Sequence, residues 1–241
     1  MILFLIKFFD EEEHATAFLE GTLFARRLRC FKEMEDADGR GDKYEGAIMP
    51  STSGLTVTLE ATDVETGEVV DKITMTEGDF EGPPVMQPEW FDHVNVFCMY
   101  AGHSGNFEYI CPENADEFKR QLELPEDYLN MGEHAVVIKN TTEFLKRVDA
   151  AVKKSGYGLR RGLVRYYDPE IGTPVFASDV DTIFSKRLSY QHQKEYRFAI
   201  DKGDLGCDPI TLDIGPIGDI AFQMQASEFN SSLRLQFHDT S

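Results

Sequence analysis

The sequence predicts an α+β fold built on a mostly antiparallel, bent or split sheet with about four helices. Three observations support this class. About eight to ten segments carry strand patterns, four carry helical patterns, and the two types do not alternate as in a β-α-β chain. A hydrophobic content of 41% in 241 residues is enough for a substantial core. No repeat or linker divides the chain, so we expect residues 1–241 to form a single domain.

At the N-terminus, the apolar residues 1–9 predict a buried strand. The acidic cluster that follows is typical of the first turn of a helix, which we expect to end at Leu19, before Gly21. Residues 23–34 present an apolar side at helical spacing and predict a second helix. The polar, glycine-containing residues 35–42 after it predict a loop.

From residue 55 onward the pattern changes to alternation, which is typical of strands. Residues 55–59 and 69–75, with a turn at Thr66-Gly67-Glu68, predict a β-hairpin. The remaining predicted elements are strands at 94–100, 134–139, 163–167, 196–200 and 233–237, with one or two more in the C-terminal tail, and helices at 114–122, 141–156 and 183–193.

The charge of the chain is unevenly distributed. There are 43 acidic and 24 basic residues, a net charge of −19, and residues 44–118 contain 15 acidic residues and one basic residue, Lys72. Such a surface repels nucleic-acid phosphates and attracts a basic partner. Residues 139–165 hold eight basic and two acidic residues. They form either a docking site for a nucleic-acid or acidic protein target or a solvated helix face.

Targeting and metal signals are weak. The apolar N-terminal run is interrupted by Lys7 and is too short to span a membrane, so we expect a cytoplasmic protein with no membrane partner. The four cysteines form no C-x-x-C pair and are expected to be reduced thiols. His93, Cys98, His103 and Cys111 lack the spacing of zinc ligands, so no metal site is expected.

One segment with candidate chemistry is the arginine-rich stretch Arg26, Arg27 and Arg29, which precedes the glycine-containing loop at 39–41. Guanidinium groups bind phosphate through paired hydrogen bonds, so these residues are candidates for holding a phosphate-bearing ligand. The alternative is that they pair with neighbouring carboxylates on a solvated surface.

A second segment, residues 184–198, contains Gln193 and Glu195. Because these residues are two apart at the start of a predicted strand, their side chains leave the same face. Glu195 is therefore either a catalytic carboxylate or the partner of Arg197 in a structural bridge at a junction between helix and strand. No dinucleotide-binding glycine motif, P-loop, nucleophile elbow or zinc-protease helix occurs in the sequence.

Four motifs occur in order along residues 21–200: an early G-x-L-F element, a loop similar to R-G-D-x-x-E-G, a strand similar to V-F-C-x-Y-A-x-H, and F-x-K-x-x-x-Y-x-x-Q-x-E-Y-R-F. The last motif begins at Phe184 and ends at Phe198. Together they resemble an uncharacterised family of bacterial and phage proteins. This resemblance implies no particular activity.

Gln193-Lys194-Glu195 also resembles the Q-x-E turn of ADP-ribosyltransferases, and Ser51-Thr52-Ser53 resembles their S-T-S strand. This resemblance implies a split sheet and NAD as the cofactor. Glu195 would be the catalytic carboxylate that stabilises a ribosyl cation as nicotinamide leaves, and Gln193 would be the second catalytic residue. It further implies that the cofactor-binding residues are Arg26 or Arg29, which would hold the NAD phosphates, together with Ser51 and Tyr190.

Two functional hypotheses follow. In the first, the protein is an NAD-dependent, ADP-ribosyltransferase-like enzyme that modifies a macromolecular target, protein or nucleic acid. In that case Glu195→Gln should abolish nicotinamide release and leave thermal stability nearly unchanged. In the second, it is a non-enzymatic acidic interaction protein, such as a phage-type inhibitor or a nucleic-acid mimic, that binds a basic partner through residues 44–118.

Overall fold

The structure is a computed structural model, and it describes residues 1–34, 44–47, 54, 56–79, 89–168, 171 and 179–237. The helices are α1 (Glu12–Leu19), α2 (Leu28–Glu33), α3 (Ala115–Leu122), α4 (Thr141–Lys154) and α5 (Phe229–Ser232). The strands are β1 (Ile2–Phe9), β2 (Thr22–Arg27), β3 (Thr56–Thr62), β4 (Val69–Thr76), β5 (Asn95–His103), β6 (His134–Ile138), β7 (Gly158–Leu163), β8 (Arg165–Tyr167), β9 (Ser185–Arg187), β10 (Glu195–Asp201), β11 (Ile210–Asp213) and β12 (Ala221–Gln225). Short 3₁₀ turns include Glu89–His93, Glu126–Met131, Asp179–Phe184 and Leu188–Gln193.

An eight-stranded antiparallel sheet forms the centre of the fold. Six strands follow the order β11-β2-β5-β1-β6-β12, and β10 pairs with both β5 and β7. β3 and β4 form a separate antiparallel hairpin, and β8 and β9 form a short parallel pair. With its helices and its mostly antiparallel strands, the structure confirms the α+β class. The likeness to ADP-ribosyltransferases stays a prediction.

The sheet is covered on both faces. On one face, α1 and α4 pack against the strands through a core that includes Phe18, Phe144 and Phe198. The rings of Phe144 and Phe198 meet edge to face, with centroids 6.1 Å apart. The other face carries two smaller buried clusters, one around Tyr100 and Tyr128 and the other around Leu28 and Phe91. This second face holds the candidate site.

β5 is the strand at which the sheet divides. β10 pairs with β5 along one edge, while β1 and β2 share the other edge. On that edge, β1 pairs with β5 from His103 to Tyr100, and β2 pairs with Val96 and Asn95. Residues 97–99 therefore have no strand partner there in the described part of the chain. Instead, the Lys7 ammonium group donates a 2.9 Å hydrogen bond to the Cys98 carbonyl. We call the gap between β1 and β2 the fork.

The helix predicted at residues 23–34 is wrong in its first half. Thr22–Arg27 is a strand in which buried Leu23 and Ala25 alternate with exposed residues, and only Leu28–Glu33 is helical. The apolar residues fit a helical spacing and a strand spacing equally well. Pairing with β11 on one side and with β5 on the other decides the outcome, because ladder hydrogen bonds replace those of a helix.

Two other predicted elements also differ. Residues 183–193 form strand β9 between two 3₁₀ turns, because β9 pairs in parallel with β8. Residues 233–237, predicted as a strand, follow α5 without strand structure. Alternation alone is not sufficient for a strand that lacks a neighbour to pair with. In the described ranges, no helix is long and apolar enough to cross a membrane.

Candidate functional site

A cavity of about 550 Å³ lies at the fork. It is bordered by β1 and β2 on its two sides, by residues 97–99 of β5 between them, and by α1 at one end. On the second face of the sheet it continues beneath residues of α2 and of the 3₁₀ turn Glu126–Met131. The volume falls within the range of about 300–1,000 Å³ that is usual for small-molecule sites.

The mouth of this cavity is polar. The exposed side chains there are Asp10, His14, Thr22, Phe24 and Arg26. The Arg26 guanidinium carbon lies 5.8 Å from the centre of the Phe24 ring, which is within the range of a cation–π contact. Within the described residues, Arg26 forms no ion pair. Its charge therefore remains available to an anionic group at the mouth.

The walls are mainly aromatic and thioether side chains, contributed in part by Phe8, Phe31, Met34 and Tyr128. The Tyr128 ring packs on Phe8 and on Tyr100, with both pairs of centroids 5.0 Å apart. Its hydroxyl group donates a 3.0 Å hydrogen bond to the Gln193 carbonyl. Aromatic and methionine side chains form adaptable surfaces for flat apolar ligands.

The floor of the cavity is formed by part of a buried group of four charged residues, which we call the ion cluster: Glu45, Lys186, Glu195 and Arg197. Lys186, Glu195 and Arg197 line the cavity, and Glu45 does not. Arg197 Nε donates to Glu195 Oε1 at 2.6 Å, and Arg197 Nη1 donates to Glu45 Oε1 at 2.7 Å. Lys186 Nζ lies 3.0 Å from Glu195 Oε2 and 3.4 Å from Glu45 Oε2. The two cations and two anions give the cluster no net charge.

Gln193 extends this cluster, since its side-chain oxygen accepts a 2.8 Å hydrogen bond from Lys186 Nζ. Strand pairing positions two members of the cluster, Glu195 and Arg197. Glu195 lies opposite Tyr100 and Arg197 lies opposite Cys98, so all four side chains share one face of the sheet. Lys194, between Gln193 and Glu195, has a positive φ of 39°, and this turn carries the chain from the 3₁₀ segment into β10.

Ionisation of the cluster follows from its geometry. Burial alone would raise the pKa of Glu195, but the charges of Arg197 and Lys186 outweigh it and hold the pKa well below its usual value. Burial lowers the pKa of Lys186 and of Arg197, and the charge of Glu195 more than reverses this, so both pKa values lie above the usual range. Glu195 therefore stays an anion at neutral pH and cannot serve as a general acid.

Cys98 also faces this part of the cavity. Burial, together with the Glu195 charge, raises the pKa of its thiol to about 12. A thiol of this kind is protonated at neutral pH and is a poor nucleophile. Among the residues that the structure describes, no three His, Cys, Asp or Glu side chains are grouped so that they could hold a metal ion.

No family model matches this chain, and neither does a curated protein or a solved structure.

The sequence-predicted site residues separate into two groups. Gln193, Glu195 and Arg26 all line the cavity, although Arg26 is far from the other two in the sequence. Arg29 does not line it: this side chain is exposed and pairs with Glu33, with Arg29 Nε 2.6 Å from Glu33 Oε1.

The remaining predicted cofactor contacts do not join this group. Tyr190 is buried and is not part of the cavity wall; its ring centre lies 5.4 Å from Lys186 Nζ. Ser51 lies outside the described residues. Of the two readings of Glu195 that the sequence left open, the ion pair with Arg197 is present in the structure.

Sequence reasoning did not identify Glu45, Lys186 or Cys98 as members of the site. A signal was nevertheless present, because each lies in one of the motifs quoted above. Glu45 is the glutamate of the R-G-D-x-x-E-G-like loop, Cys98 belongs to the middle strand motif, and Lys186 belongs to the last motif. Three motifs that are distant in sequence therefore contribute to one cluster around Glu195.

Proposed function

We propose that the fork cavity binds a small molecule in which an aromatic ring is joined to an anionic group, and that NAD is the leading candidate for this ligand. The observation that carries the proposal is that Arg26, Gln193 and Glu195, from distant parts of the sequence, line one cavity with aromatic walls. A cavity with mostly apolar walls and a few convergent polar groups is the usual form of a ligand site.

Each part of the cavity has a role in this proposal. Arg26 at the mouth, which is free of ion pairs with the described residues, would hold the diphosphate by charge-assisted hydrogen bonds. Phe8, Phe24 and Tyr128 would pack against the flat rings. Gln193 and the unshared lone pairs of Glu195 would accept hydrogen bonds from ribose hydroxyl groups at the floor.

The proposed reaction is transfer of ADP-ribose to a macromolecular target. NAD would supply an ADP-ribosyl group, whose bond to nicotinamide breaks while a nucleophile of the target forms the new bond. The contribution of the chain itself would be the Glu195 carboxylate, an anion held in place by Arg197 and Lys186. Those two cations already neutralise part of its charge, which limits how strongly it can stabilise a ribosyl cation.

Calorimetric titration with NAD, ADP-ribose and nicotinamide tests the binding step. Arg26→Ala is expected to weaken the binding of NAD and of ADP-ribose about tenfold or more, because a hydrogen bond to a charged group contributes about 1.5–3 kcal/mol. Its affinity for nicotinamide should not change. Arg29→Ala is the matched control, since it removes the same charge from an exposed position outside the cavity.

Two results would contradict the proposal. One is the absence of binding by all three compounds at millimolar concentration, and the other is an equal loss of affinity in the two arginine variants. Saturating NAD, at about one hundred times its dissociation constant, should also stabilise the protein by about 2.7 kcal/mol. Binding of NAD without nicotinamide release in the presence of candidate targets would retain the binding proposal and reject the transferase reaction.

A further inference from the structure

The hairpin formed by β3 and β4, residues 56–76, has no strand partner outside itself in the described part of the chain. β3 pairs only with β4 among the described residues, and none of the hairpin residues belongs to a buried hydrophobic cluster. An isolated two-stranded hairpin is at best marginally stable in water. The hairpin is therefore a segment that would gain stability by binding a partner.

The turn of the hairpin has a defined structure. Asp63 Oδ1 accepts hydrogen bonds from the backbone N–H groups of Glu65 and Thr66, at 2.9 and 2.8 Å. These bonds lower the pKa of Asp63. Gly67 adopts a φ of 71°, in the left-handed region that favours glycine. The hairpin is thus held in register at its tip, and its two faces are distinct.

One face of the hairpin is apolar. Leu59 lies directly opposite Ile73, and Val57 lies opposite Met75, so the four side chains form a continuous patch. Leu59 and Ile73 are each 57% exposed. Of the nine large apolar side chains that are more than half exposed in the described ranges, five lie on this hairpin: Leu59, Val64, Val69, Val70 and Ile73. A concentration of this kind is typical of an interaction surface.

The hairpin is also strongly acidic. Residues 56–79 contain seven acidic residues and one basic residue, Lys72. The Lys72 ammonium group is already 2.9 Å from Glu60. Glu65 and Glu68 at the tip are exposed. This charge repels nucleic acids and anionic membranes and attracts a basic protein surface, so charge complementarity selects the occupant.

We propose that the hairpin is a docking arm for a basic protein segment that alternates cationic and aliphatic side chains. The aliphatic side chains cover Val57, Leu59, Ile73 and Met75, and the cationic side chains pair with Glu65 and Glu68. The proposal is independent of ligand binding at the fork, and either can fail without the other.

Fluorescence anisotropy with labelled synthetic peptides tests this docking arm. The probe is an eight-residue peptide that alternates lysine and leucine. Two comparison peptides replace leucine by serine or lysine by glutamate. The lysine–leucine peptide is expected to bind, and to bind more weakly as salt is raised, because exposed charges are screened. The lysine–serine peptide should bind about tenfold more weakly, since it cannot cover the apolar face, and the glutamate–leucine peptide should not bind.

Two double variants separate the two contributions. Leu59→Ser with Ile73→Ser removes the apolar patch, and Glu65→Lys with Glu68→Lys reverses the charge at the tip. Each double variant is expected to bind the lysine–leucine peptide about tenfold or more weakly than the unmodified chain. The matched control is Glu20→Lys with Glu108→Lys, two exposed acids outside the hairpin that give the same change in net charge. Its affinity should stay within about twofold of the unmodified chain.

Four results would overturn the proposal: no binding of the lysine–leucine peptide at millimolar concentration, equal binding of the lysine–serine peptide, equal losses in the control pair, or self-association that requires Leu59 and Ile73. The last is measured by analytical ultracentrifugation and would assign the surface to a second copy of the chain. Since the substituted side chains are exposed, thermal unfolding of both variants should match that of the unmodified chain. Arg26→Ala should leave peptide binding unchanged.

Discussion

The ion cluster and the hairpin differ in whether their opposite charges are balanced. The cluster buries two cations and two anions, Glu45, Lys186, Glu195 and Arg197, within hydrogen-bonding distance of one another. Residues 56–79, which include the hairpin, contain seven acidic residues and a single basic residue, and the hairpin also exposes an apolar face. Charge is neutralised in the buried region and left unbalanced in the exposed one.

The difference shows that the same type of contact has different consequences in the two regions. The Glu195–Arg197 pair and the Glu60–Lys72 pair both join acidic and basic residues on strands, at 2.6 and 2.9 Å. Breaking the first leaves a buried charge without its partner, whereas breaking the second leaves both groups in solvent. The first pair therefore contributes to the integrity of the fold, and the second contributes little to it.

The largest expected effect is on folding stability and comes from Glu195→Gln. Removing this anion leaves Arg197 and Lys186 buried with only Glu45, which should lower the free energy of unfolding by about 3–5 kcal/mol. Urea unfolding followed by circular dichroism measures the loss. This expectation replaces the sequence-based one, in which thermal stability stayed nearly unchanged. Loss of nicotinamide release in this variant would for the same reason be no evidence for catalysis.

The control for this experiment is the double substitution Glu195→Met with Arg197→Met. Because it removes one charge of each sign, the variant should be more stable than Glu195→Gln. A Glu195→Gln protein with the unfolding free energy of the unmodified chain would show that the cluster does not depend on this anion, and the contrast with the hairpin would then disappear.

The next effect is a dependence of stability on pH. The pKa of Glu195 in the folded chain lies below its ordinary value of about 4.3. Its stabilising contribution is therefore fully present above about pH 4.3 and is lost as the pH falls through the lower folded-state pKa. The melting temperature of the unmodified chain should fall more steeply below about pH 4.3 than that of Glu195→Gln. Parallel curves for the two proteins would contradict this.

Lys186 gives the opposite dependence. Its pKa in the folded chain is raised above the ordinary value of about 10.4. Its contribution is fully present below that ordinary value and is lost only as the pH rises through the higher folded-state pKa. Between the two limits the cluster should contribute a constant amount, so a strong change in melting temperature between about pH 6 and 9 would indicate another titrating group.

The smallest effect is expected for Lys72→Met on the hairpin. The Lys72 and Glu60 side chains are 55% and 44% exposed, and pairs of this kind contribute about 0–1 kcal/mol. Urea unfolding should give a free energy within about 1 kcal/mol of the unmodified chain. A loss comparable to that of Glu195→Gln would mean that the hairpin is structurally coupled to the rest of the fold.

Much of the fold could be predicted because it depends on local patterns. The acidic first turn and the periodic apolar residues define α1 and α4, alternation defines β3 and β4, and strand patterns predict β5 and β10. The segment 23–34 could not be assigned correctly, because its apolar spacing fits both a helix and a strand. Part of the candidate site could also be predicted from the sequence. Gln193, Glu195 and Arg26 were identified by residue type and spacing, but the sequence did not distinguish Arg29 from Arg26.

The sequence by itself determined the α+β class, the hairpin and the acidity of the first half, since each depends on neighbouring residues. The tertiary structure decided that Glu45 and Lys186 surround Glu195, that β1 and β2 separate to leave a cavity, and that Arg26 faces it while Arg29 does not. These outcomes depend on which strands pair with β5 and in what register. That choice is made by the free energy of the whole sheet and its core, to which residues far apart in the chain contribute together.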